Sequence, residues 1–129
     1  MTWDNNQNFT TTFVAAEALN TATHVGCAVV ITTGLLANNG KTASGILMPH
    51  SKPKSGEYGS AGIMGMLRFR AGAVVAVGAY LTVATSGYII TNPTSGYYAV
   101  GRCFEAAASG GMGVGIFNFA LPNYFESSY

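Results

Sequence analysis

Leu67-Arg-Phe-Arg-Ala-Gly-Ala-Val-Val-Ala-Val-Gly-Ala-Tyr-Leu-Thr82 decides the fold class. It is a chain of short apolar runs broken by single glycines. Two more phrases share that grammar, Ala43-Ser-Gly-Ile-Leu-Met48 and Tyr98-Ala-Val-Gly-Arg-Cys-Phe-Glu-Ala-Ala-Ala-Ser-Gly-Gly111. Short β-branched and aromatic runs bounded by turn signals read as closely packed strands.

Working outward, the strand signal continues in both directions. Residues 26–32 form a buried run, and Leu35-Leu-Ala leads into the hairpin-type turn Asn38-Asn-Gly-Lys, where Asn and Gly accept positive φ. Residues 61–69 read as a strand with Met64, Met66 and Arg68 on one face, and with Ile63, Leu67 and Phe69 grouped differently around Gly65. Further strands are expected at 73–77, 80–84, 88–91, 97–105 and 113–119. A short helix over residues 14–19 is a minor option, since it is uncapped. Many short strands at this spacing give an all-β fold, a small β-barrel or sandwich. The expected layout is an extended N-terminal arm over 1–22, the β-domain over 23–119 and a short C-terminal tail over 120–129.

The chain has 129 residues, enough for one domain with one core. Asp, Glu, Lys and Arg make up 9% of it, against roughly 25% in an average soluble domain. A surface so poor in charge suits a molecule that covers much of itself with other protein. Net charge is +1, and the basic residues are dispersed, with no patch denser than Lys52 with Lys54 or Arg68 with Arg70. Nucleic acid, which draws on a concentrated basic face, is not an expected partner. No apolar run approaches the ~20 residues of a membrane span. The opening Met1-Thr-Trp-Asp-Asn-Asn-Gln7 lacks the basic start and apolar core of a signal peptide. The expectation is therefore a protein made in the cytoplasm, with no membrane partner.

Chemistry-bearing residues do not form a recognisable set. Asp4 is the lone aspartate, Glu17, Glu57, Glu105 and Glu126 are far apart, and His24 and His50 have no ligand-spaced neighbours. No Gly-x-Ser-x-Gly elbow is present. Gly110-Gly-Met-Gly-Val-Gly115 lacks the Lys-Ser/Thr ending of a phosphate loop and reads instead as a strand that another backbone approaches closely. Cys27 and Cys103 sit in apolar runs and are expected as buried free thiols. No catalytic, metal-binding or cofactor-binding residue is assigned, and no enzyme is expected.

Large rings stand out at the two ends. Trp3, Phe9 and Phe13 in the arm, and Tyr124, Phe125 and Tyr129 in the tail, have few neighbours in sequence with which to build a core. Aromatic side chains are favoured interface anchors, so these six are the candidate contacts to another subunit or a larger assembly.

From about Phe13 to Phe119 the order of phrases resembles the head decoration (capsid cement) proteins of tailed bacteriophages. The likeness is carried by Ala43-Ser-Gly-Ile-Leu47, Lys52-Pro-Lys-Ser-Gly-Glu57, Gly65-Met-Leu-Arg-Phe-Arg-Ala-Gly-Ala-Val-Val-Ala-Val-Gly78, Thr85-Ser-Gly87 and Ala99-Val-Gly-Arg-Cys-Phe-Glu-Ala-Ala-Ala-Ser-Gly-Gly111. The low charge, Tyr58-Gly and the aromatic tail depart from it. The resemblance implies a structural virion protein on the outer capsid surface, bound to the major capsid protein, stabilising the shell, and homo-oligomeric with a trimer favoured. Two other assignments fit the same residues. One is a major capsid or tail-tube protein. The other is a carbohydrate-binding β-domain with Tyr88, Tyr97 and Tyr98 as a stacking platform.

Overall fold

A computed structural model describes residues 9–39, 42–92 and 98–119, and the backbone of 123–124. Eleven strands are present among them: β1 Phe9–Val14, β2 Ala28–Val30, β3 Leu35–Leu36, β4 Gly45–Leu47, β5 Tyr58–Arg70, β6 Tyr80–Val83, β7 Ile89–Thr91, β8 Tyr98–Ala99, β9 Gly101–Glu105, β10 Met112–Asn118 and β11 Asn123–Tyr124. The fold is all-β, as the glycine-punctuated runs predict.

The main sheet is antiparallel in the order β3-β2-β4-β5-β10-β9-β6-β7, with β1 also paired to β5, and β8 with β11 forms a separate ladder. The sheet curls into a small barrel. Its far strand comes round to the residues just past β5, where Ala71 bridges Ile89 and the Gly72 amide donates to the Ile89 carbonyl at 2.9 Å.

β5 is the spine, pairing with β1 and β4 along its first half and with β10 along its second. Alternation along the strands sorts side chains between two clusters. Ala28, Ile46, Leu67, Phe69, Leu81, Val83, Cys103 and Phe117 fill the main core inside the barrel. Val29, Leu47 and Ala61 point the other way and join Phe13, Ala15 and Leu19 in a second cluster outside it. Ala61 and Leu67 are both odd-numbered yet face opposite sides, so one residue between them is out of step. The ladder locates it. Thr10 pairs with Gly62 but Phe9 pairs with Met64, leaving Ile63 unopposed, and Gly65 just beyond has φ 106°. This bulge turns Leu67 and Phe69 inward and leaves Met66 and Arg68 on the outside.

The glycines of β10 serve close packing. A Cβ on Gly113 would lie 2.6 Å from the Phe69 ring and 2.8 Å from the Glu105 carbonyl oxygen. Phe69 meets Phe117 edge-on at 5.8 Å, and Phe117 stacks on Phe119 at 5.5 Å, contacts worth about 1 kcal/mol each beyond burial. The Gly110–Gly115 stretch is a core strand and its entering turn.

Three expectations change. The boundary of the arm at 22 is too late, because β1 is a strand of the sheet and residues 15–19 are sewn to the body. Ala15, Ala16 and Leu19 amides donate to the carbonyls of Glu57, Gly34 and Pro53 at 2.8–2.9 Å, and the Glu17 carboxylate accepts from the Leu36 amide at 3.0 Å. Those same bonds replace the helix considered over 14–19, since its amides are engaged across the fold. Residues 73–77 are a loop rather than a strand, held by the reciprocal Val75–Ala107 bridge at 2.9 and 3.0 Å. Cys27 and Cys103 are free thiols, both buried.

Candidate functional site

The barrel exterior is covered in two places. The segment around Phe13, Ala15 and Leu19 laps over Val29, Leu47 and Ala61. Elsewhere Thr82, fully buried on β6, donates from its hydroxyl to the Tyr98 carbonyl at 2.7 Å, so the β8–β11 ladder lies against that strand. Between these covers the sheet presents a strip that no other described residues overlie.

Register defines the strip. Met66 pairs with Ile116, Ile116 with Arg102 and Arg102 with Tyr80, giving one row across β5, β10, β9 and β6. Directly paired residues share a face. A second row joins Arg68, Val114 and Glu105, and a third joins Phe9, Met64 and Asn118. Phe104 lies where the β9–β10 register shifts. Ile116, Phe104 and Phe9 are 52%, 54% and 70% exposed, respectively. These are large apolar groups on a sheet whose inner face is full.

Electrostatics on the strip favour the cations. The Arg102 Nε donates to the Gly78 carbonyl at 3.0 Å, and its guanidinium carbon lies 5.1 Å from the centre of the Tyr80 ring. These two contacts fix the plane of the guanidinium against the sheet. Arg68 is exposed and has no hydrogen-bond or ion-pair partner among the described residues. Four strands about 4.8 Å apart, and rows two residues apart, give a footprint of roughly 200 Å2. At about 25 cal/mol/Å2 for its apolar share, with Arg68, Arg102, Glu105 and Asn118 contributing little, that is less than about 5 kcal/mol, no more than the lower estimates for lost translation and rotation on association. The strip is the centre of a contact that needs further area around it.

A second, polar groove runs between β1 and the 50–53 loop, lined by Thr12, His50, Lys52, Glu57 and Tyr58. Glu57 Oε1 accepts from the Lys54 amide at 2.8 Å, and the Ser51 hydroxyl accepts from the Ser60 amide at 2.9 Å. Both oxygens thus hold the loop in place. Among the described residues no three His, Cys, Asp or Glu side chains gather to hold a metal ion, and no helix is long and apolar enough to cross a membrane.

The ring residues named from sequence have separate fates. Phe13 is 4% exposed and packs inside its own subunit, so it is corrected from contact anchor to core residue. β1 places it opposite Gly59, where a Cβ would lie 3.1 Å from the Phe13 ring. Phe9, four residues earlier, is exposed at the margin of the strip. Tyr124 lies in β11 opposite Tyr98; Trp3, Phe125 and Tyr129 lie outside the described residues, as does Tyr97. Tyr88 precedes β7 of the main sheet whereas Tyr98 belongs to the β8–β11 ladder. Ile116, Arg102, Tyr80 and Met66 were missed by reading the ends: each neighbours core residues on its own strand, but only the register of the four strands brings them together.

No protein-family model matches the sequence, and no curated protein matches it. The fold is similar to the crystal structure of the N base of the head fiber gp8.5 in bacteriophage phi29. That similarity has a TM-score of 0.66 at 13% identity and covers 87% of this chain and 95% of that one.

Proposed function

We propose that this chain is a structural protein of a tailed-phage virion, seated on the outer surface of the head shell and stabilising it as a decoration protein. The observation that carries the reading is the fold shared with a head-fiber base over nearly the full length of both chains. The order of sequence phrases supports it independently, and so does a sequence of which only 9% is charged. In this reading the partner is the major capsid protein, copies of the chain associate with one another, and the role is mechanical rather than enzymatic. A shell offers many equivalent sites, and modest contacts made at several points on one copy sum to firm attachment.

The test is direct. Purified protein mixed with expanded heads that lack it should bind saturably, at a fixed number of copies per shell, and raise the temperature at which the heads rupture. Failure to bind, or assembly of the protein alone into stacked rings or tubes, would replace this reading with a tail-tube one.

A further inference from the structure

We infer that the strip of Met66, Ile116, Arg102 and Tyr80 is the face that meets the shell, and that its partner is an apolar patch bearing a carboxylate that takes the fork of Arg102. The inference rests on the shell-docking reading above and assigns it a surface and a partner chemistry.

Three observations converge. Among the described residues the strip lies outside both the Phe13–Leu19 segment and the β8–β11 ladder, and it carries the exposed Ile116 and Phe104. Its charge is unbalanced, with Arg68 and Arg102 against Glu105 alone. Finally, Arg102 is oriented in advance: its Nε is held by Gly78 and its plane by Tyr80, leaving the two terminal nitrogens for a bidentate carboxylate. Met64 and Met66 beside it are unbranched and adapt to an uneven apolar surface.

A second copy fits less well. A two-fold contact through the strip would set the two-arginine face against itself. An acidic, partly apolar partner meets the face without that repulsion.

Binding to heads that lack the protein is measured for wild type, Arg102→Glu, Arg102→Lys and Ile116→Asp, with thermal unfolding of each variant checked first. Charge reversal should weaken binding about 100-fold or more. Lysine, which cannot fork, should give an intermediate loss of about tenfold. A photo-cross-linking amino acid at position 116 should join the chain to the major shell subunit. Wild-type binding with all three variants equal to it, or cross-links to a second copy or to residues 1–8, would overturn the strip assignment while leaving shell docking intact. No binding by wild type would remove both.

Discussion

The Nη2 of Arg70 donates to the carbonyl oxygen of Ala22 at 2.8 Å, tying the end of β5 to a residue 48 positions earlier. The same guanidinium reaches the Gly110 carbonyl through Nη1 at 3.1 Å and the Val25 carbonyl through Nε at 3.3 Å. One side chain thus holds two backbone segments, residues 22–25 and the turn at Gly110, that have no ladder between them. Arg68, two residues away and on the same strand, holds nothing among the described residues. Adjacent arginines of like spacing therefore serve opposite ends, one structural and one facing outward.

Replacing Arg70 with Lys keeps the charge and loses the fork. Bonds from a charged donor to neutral carbonyls contribute about 1.5–3 kcal/mol each when buried, and two of these three are exposed. The expected loss is about 2 kcal/mol for Arg70→Lys and somewhat more for Arg70→Ala, read from urea unfolding midpoints. Arg68→Lys should leave the midpoint unchanged.

Local signals are legible in the sequence and non-local ones are not. The alternation around Gly65 by itself separates Met64, Met66 and Arg68 from Leu67 and Phe69, because strand period is a local property. Asn38-Asn-Gly-Lys reads as a turn, and Asn39 Oδ1 indeed accepts from the Thr42 amide at 2.9 Å. By contrast Phe9-Thr-Thr-Thr-Phe13 reads as a free arm because its partner in β5 begins 44 residues after Val14. Nothing near it in sequence announces that pairing. The strip is hidden for the same reason: Arg102, Ile116, Met66 and Tyr80 are neighbours through register alone.

Gly34 is the pin of the lapping segment. It has φ 73°, its carbonyl accepts from the Ala16 amide at 2.9 Å, and a Cβ there would run into the Val14 carbonyl oxygen. Gly110 also has positive φ, 77°, but faces open space. Gly110→Ala should therefore cost about 1 kcal/mol of conformational strain. Gly34→Ala adds a backbone collision and should cost about 3 kcal/mol or more. Thermal denaturation of the two variants, with proteolysis at residues 14–20 as a local readout, distinguishes them.

Stability should fall at alkaline pH. Burial pushes the Cys27 thiol up to about 11 from an ordinary 9.0, with nearby Arg70 pulling modestly the other way; burial raises Cys103 as well. Below pH 9 both native and unfolded thiols hold their protons. Between about pH 9 and 11 the unfolded chain loses the Cys27 proton while the native chain keeps it, so unfolding gains ground. Urea midpoints should drop across that window in wild type and drop less in Cys27→Ala. A Cys27→Ala curve parallel to wild type would show that the thiol does not report on folding.

Phe9 and Phe13 sit on one strand with opposite consequences. Phe13 is buried among Ala15, Leu19 and Leu47, and Phe13→Ala should cost about 3–5 kcal/mol. Phe9 is 70% exposed, and Phe9→Ala should stay within about 0.5 kcal/mol of wild type. Deleting residues 1–13 would remove nearly all of the six-residue β1 together with the Phe13 ring, so loss of head binding by that deletion would report unfolding as much as a missing anchor. The single substitution separates the two effects. Phe9→Ala should bind heads several-fold more weakly at unchanged stability, because Phe9 pairs with Met64 at the margin of the strip, while Phe13→Ala should lose both together.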